Sequence, residues 1–201
     1  MKAALIACLS LAAVASAASN TVPTSNIPGS QLATYTLDQE VAYGSAMALG
    51  LLSGYEKGMY KLTTYKPNAR CLDAEFQKLV VDTFSSWGTP AFSWTNSASN
   101  LQKSVLLVSN WCDYDEALYT WMNFCYYSEQ CLITYMSESI MKKVFQVTTV
   151  ANDLAQLFMD GVPKPTDKPA DVQTFADRLG SNLGKLIRYA TDYDPTLYPP
   201  K

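Results

Sequence analysis

Two stripes of small residues constrain this chain more than any other feature. Ala42, Ala46, Gly50, Gly54 and Gly58 recur at a spacing of four, and Ala176, Gly180 and Gly184 repeat the pattern near the other end. Residues four apart share one face of an α-helix. A glycine inside a helix costs about 1 kcal/mol relative to alanine, so Gly50, Gly54 and Gly58 together cost about 3 kcal/mol. Close approach offsets such a cost, because backbones with no side chain between them gain dispersion and Cα–H···O contacts. The first stripe therefore predicts a tightly packed helix partner. The second stripe is the natural one; a contact between subunits, or the lining of a pocket for a flat apolar ligand, is the alternative. Neither stripe fits a phosphate-binding loop or a dinucleotide fingerprint.

Apolar periodicity extends the stripes into an all-α architecture. The first helix begins at Thr36, with Gln39 placed to complete a capping box, and ends before Pro67. A second spans about Leu72 to Trp87 and stops at Gly88–Pro90. A third begins near Ser97 or Ser99 and carries Leu101, Val105, Val108 and Cys112 in register. The next is read as one long helix from Glu129 to Asp160, its inner side carrying Ile133, Met136, Ile140, Val144, Val147, Ala151, Leu154 and Phe158. Gly161 stops it. A proline-rich connector leads to a last helix from Asp171 to Asp192. No run reads as strands. The expected fold is a disulfide-stapled bundle of about five helices over residues 37–192. An extended polar arm (18–36) precedes it, and an extended proline-rich tail (193–201) follows.

The chain opens with "MKAALIACLSLAAVASA". A basic start, a short apolar run and a small-residue site at Ala15–Ala17 form the pattern of a secretory signal peptide over residues 1–17. The run is too short for a spanning helix, so the expectation is a secreted, extracellular protein. Cys8 lies within that segment, which leaves Cys71, Cys112, Cys125 and Cys131 for two bridges and three pairings. If the second and third helices are antiparallel, Cys71 and Cys112 lie level at the open end of their hairpin. Cys125 and Cys131 flank "YYSEQ" and could close a short loop. Cys112 and Cys125 would lie about 19 Å apart in one continuous helix, beyond disulfide reach, unless the helix breaks at "DYDE".

There is no histidine. That removes histidine-based triads, histidine metal sites and histidine pH switches. Without Lys2, 14 basic and 18 acidic side chains remain, and a mildly acidic balance argues against a nucleic-acid partner. The acidic group Asp113, Asp115 and Glu116 lacks the glycine and terminal glutamate of a calcium loop and suits a helix N-terminus. No metal, cofactor or catalytic residue is expected. Aromatic residues are more informative. Trp111, Tyr119, Trp121, Tyr126 and Tyr127 crowd around the cysteines and form a candidate interface, since such side chains concentrate binding energy. Stacking on a glycan is a further option for them.

Between "GLLSGYEKGMY" and "CLDAEFQKLV" the chain resembles a set of small secreted ciliate proteins, in which a glycine-spaced helix shortly precedes a cysteine that opens the next helix. Gly50, Gly54, Gly58, Cys71 and Asp73 carry the resemblance. It implies an extracellular helical protein of a coat or fibre, with no catalytic residue. The expected function is accordingly a non-enzymatic structural subunit that self-associates or binds an extracellular protein partner. The alternative is a carrier of lipid or another small apolar ligand.

Overall fold

The two small-residue stripes face each other. In the computed structural model, which describes residues 35–85 and 93–197, helix α1 (Leu37–Tyr60) packs along helix α7 (Pro169–Thr191). A Cβ built on Gly50 would lie closer than 3.0 Å to the Gln173 carbonyl oxygen, one on Gly54 to that of Asp177, and one on Gly58 to that of Ser181. From the other side, Gly180 abuts the Leu51 carbonyl, and a Cβ on Gly184 would stand 2.7 Å from the Tyr55 oxygen and the Met59 nitrogen. Contact positions rise together along both helices, so the pair is parallel. The intrachain reading of the stripe is the one the fold adopts. Ala176 (0 % exposed) and Ala46 (6 %) extend the seam toward the N-terminal ends.

One ion pair and one charge-assisted hydrogen bond pin the register. Lys57 Nζ meets Asp177 Oδ1 at 2.6 Å, both side chains being mostly covered. Arg188 Nη1 donates to the Gly58 carbonyl oxygen at 2.7 Å. That carbonyl belongs to the last turn of α1, where backbone acceptors lack partners within the helix and a cation is favoured by the dipole.

The remaining helices cluster around this pair. Helices α2 (Ala74–Ser85) and α3 (Trp94–Trp111) pack on each other, and α2 also contacts α1. Cys71–Cys112 joins the start of α2 to the end of α3, within a cluster that includes Leu72, Phe76, Val108 and Leu49. The hairpin staple expected from helix length is thus present. Helix α4 (Tyr114–Tyr127) leads into a 3₁₀ turn (Glu129–Cys131), then α5 (Ile133–Lys142) and α6 (Val144–Met159), which both pack on α7. Among the described residues there are seven α-helices and no strand.

Several boundaries differ from expectation. Helix α2 starts two residues late: Leu72 adopts a left-handed φ of 53°, and Asp73 Oδ1 caps by accepting from the Glu75 and Phe76 N–H groups. Helix α3 starts earlier than Ser97 because the Ser93 hydroxyl accepts from Asn96 N. The long helix read over Glu129–Asp160 is three pieces. Ser128 caps the 3₁₀ turn, which the Cys125–Cys131 bridge closes over a separation of six residues. At Lys143 the backbone leaves helical geometry; its N–H bonds the Ser139 and Ile140 carbonyls, and the Val147 N–H resumes the ladder on the Lys143 carbonyl. The break at "DYDE" is real, with Asp113 left-handed and making no side-chain cap. The tail does not begin extended: Tyr193 is 3 % exposed, and residues 195–197 form a turn in which Asp194 accepts from Thr196. The signal segment, the arm up to residue 34, the Gly88–Pro90 stop and residues 198–201 lie outside the described residues.

Gly54→Ala separates propensity from packing. Alanine is the better helix former by about 1 kcal/mol, yet here its methyl group meets the Asp177 backbone. The variant is expected to unfold at lower denaturant concentration than the parent, with a loss of about 2 kcal/mol or more from forced backbone displacement. A midpoint that rises would refute the contact. The bridges should differ as well. Loop-closure entropy assigns about 4 kcal/mol to Cys71–Cys112 and about 2 kcal/mol to Cys125–Cys131, so replacing the first pair by alanine should lower the denaturation midpoint further than replacing the second.

Candidate interaction surface

The aromatic residues around the second disulfide divide into an inward and an outward set. Inward, Tyr60, Phe124 and Tyr193 are buried with Met59, and Tyr55, Trp121 and Ile187 pack against them. The rings meet edge to face: Tyr60–Tyr193 at 5.8 Å and Phe124–Tyr193 at 5.0 Å between centroids. This cluster closes the end of the α1–α7 pair where α4 and the 3₁₀ turn cross it. Glu56, 5 % exposed, lies among the phenols. Burial, followed by the charge of Glu56, pushes Tyr193 up to about 12. Burial is also the first cause raising Tyr55 and Tyr60, while a hydrogen bond with Thr120 acts against the rise at Tyr60.

Outward, Tyr126 and Tyr127 are 81 % and 79 % exposed and stack edge to face at 4.9 Å. Tyr119 is exposed beside them on α4. The five aromatic residues picked out as a candidate interface therefore do not act alike. Tyr119, Tyr126 and Tyr127 face solvent. Trp111 lies under the Arg70 guanidinium, 4.9 Å from its ring centroid. Trp121 belongs to the end cluster, its indole Nε1 buried without a hydrogen-bond partner.

The larger surface lies on α5 and α6, where the expected inner face is corrected. Met136, Ser139, Lys143, Val147, Val150, Leu154 and Leu157 are the covered positions. Their spacing of three and four is that of a heptad seam. Of the eight residues expected inside, only Met136, Val147 and Leu154 belong to it; Ile133, Ile140, Val144, Ala151 and Phe158 are exposed. The seam is partly polar because it meets the end of α7. Ser139 Oγ donates to the Tyr189 carbonyl oxygen at 2.7 Å, and Lys143 pairs with Asp192 just past the last turn. The Tyr189 carbonyl is an acceptor that a helix C-terminus leaves open, and Lys143 brings a cation to that end through the Asp192 carboxylate.

A second stripe runs beside the covered one. Ile133, Ser137, Met141, Val144, Thr148, Ala151, Ala155 and Met159 are all exposed, and none is charged. Ile133 is 86 % exposed, Met141 76 % and Met159 80 %, with Phe145 at its margin at 84 %. The spacing of four and three again fits one helix face. Glu138, Lys142 and Asp153 lie off this stripe.

A cleft of about 630 Å³ opens between residues 63–69 and the α1–α7 groove, with Leu49, Lys57, Lys66, Asn68 and Asp177 in its lining. Among the described residues no group of three or more Cys, Asp or Glu side chains is placed to hold a metal ion. No described helix is long and apolar enough to cross a membrane. No protein family, curated protein or solved structure matches this chain.

The end cluster makes stability depend on alkaline pH. The Tyr193 phenol ionises near 10 when unfolded and near 12 when folded, so the unfolded chain loses its proton first. Its contribution is complete below about pH 10 and is lost as pH rises toward about 12. Denaturation midpoints should fall over that window, and Tyr193→Phe should flatten the fall. An unchanged alkaline slope in the variant would show that Tyr193 does not set it.

Proposed function

We propose that this protein is a non-enzymatic, secreted structural subunit that self-associates in an extracellular fibre, coat or matrix. The observation that carries this reading is the concentration of uncovered apolar and aromatic side chains on α4, α5 and α6. Tyr126, Tyr127, Ile133, Met141, Phe145 and Met159 are each at least three-quarters exposed. Monomeric soluble proteins rarely leave large contiguous apolar patches open, and such patches mark interaction sites. Two disulfides suit an oxidising compartment, in line with the signal-like N-terminal sequence. The resemblance carried by Gly50, Gly54, Gly58, Cys71 and Asp73 points the same way.

The carrier reading draws less support. Backbone contact fills the space between α1 and α7, and the cleft beside them, though largely apolar, is open to solvent and carries Lys57, Lys66 and Asp177.

Light scattering and electron microscopy of the purified protein test the proposal. Mass above that of one chain, growing with concentration, is the expected result. A single-chain mass at high concentration, unaltered by deleting residues 18–35, would overturn it.

A further inference from the structure

The uncharged stripe on α5 and α6 is long, regular and self-complementary. It runs along α5 (Ile133–Lys142) for about 14 Å and along α6 (Val144–Met159) for about 22 Å at 1.5 Å per residue, on either side of the break at Lys143. Its positions hold bulky residues at Ile133, Met141 and Val144, small ones at Thr148, Ala151 and Ala155, and a bulky one again at Met159, with Phe158 beside it. Laid antiparallel on a copy of itself about Thr148, the stripe sets large against small between Ser137 and Met159, while Ile133 lies past the end of the facing helix. Met141 falls opposite Ala155, Val144 opposite Ala151, and Ser137 opposite Phe158 and Met159; Thr148 meets its own copy.

We infer that α5 and α6 form a two-fold, antiparallel helix interface between two copies of this chain, with Thr148 at the axis. This rests on the self-association reading above and names its surface. A two-fold contact requires one patch to complement itself, and the alternation of side-chain size meets that condition. A standard interface covers about 800 Å² per partner; Ile133, Met141 and Met159 on the stripe are 86 %, 76 % and 80 % exposed, and Phe145 and Phe158, which flank it at 84 % and 52 %, add on the order of 250 Å². Charge argues for a protein partner over a lipid surface. A membrane-lying helix carries a basic polar face, whereas here Glu138, Asp153 and Asp160 outnumber Lys142 on the exposed polar side.

The test uses the full chain in three variants at exposed positions, so each should fold as the parent does. Ala155→Glu places a charge against Met141 of the other copy and should weaken self-association at least tenfold in sedimentation, with an unchanged circular dichroism spectrum. Under mild oxidation Thr148→Cys should form a covalent dimer that retains Cys71–Cys112 and Cys125–Cys131 by peptide mass. Gln146→Cys, on the polar side, should not. If the parent assembles while Ala155→Glu changes nothing and Thr148→Cys fails to link, this interface is wrong and the self-association reading stands. A strict monomer overturns both. A stripe-dependent attachment to phosphatidylcholine vesicles by a monomeric protein would overturn the inference.

Discussion

Backbone contact between the first and last of the described helices organises everything else. Gly50, Gly54 and Gly58 on one side and Gly180 and Gly184 on the other leave no side chain between the two backbones. Five interior glycines cost about 5 kcal/mol in helix propensity. Carbonyl oxygens set against Cα–H groups, each contact worth perhaps 0.5–1 kcal/mol, and tight dispersion along the seam are what such an arrangement gains. The intervening helices attach around this pair: α2 reaches α1 and α3, and α5 and α6 each pack on α7, leaving the other faces of α5 and α6 uncovered.

The ends of the central pair attract the polar chemistry. Gly58 and Tyr189 offer carbonyls with no partner inside their own helices, and Arg188 and Ser139 supply the donors. Lys143 adds a cation at the C-terminal end of α7 through Asp192. These contacts explain why a seam between helices contains a serine and a lysine. Beside them the aromatic end cluster seals the same region, with Tyr193 folded back into it from what would otherwise be an unstructured tail.

That arrangement also shows what could be read from residue order and what could not. The facing of the two stripes was legible, because glycine at a spacing of four has few meanings inside a helix. The Cys71–Cys112 staple followed from equal helix rises on either side of a turn. The inner face of α5 and α6 was not legible. Hydrophobic periodicity measures how apolar a face is, and here the more apolar face is the uncovered one. Ile133, Ile140, Val144 and Phe158 outscore Ser139 and Lys143 on any such scale, yet the latter are held by specific partners on α7 that no local pattern reveals. The same limit split the aromatic set: Trp121 and Tyr126 are five residues apart on one helix, so they point to different sides, and only the position of Tyr60 and Tyr193 decides which side is core.

The error is itself informative about function. A helix that needs only one apolar seam for its own fold gains nothing in the monomer from a second. Residues in such positions are ordinarily free to be Glu, Lys or Gln, which favour both helix and solubility. Instead, from Ile133 to Met159 the stripe admits no charge at all, although Glu138, Lys142 and Asp153 are placed just off it. Exposed apolar side chains scattered singly need no explanation, but a continuous uncharged stripe at heptad spacing does. It leaves, from Ile133 to Met159, an apolar face that the chain's own fold does not cover.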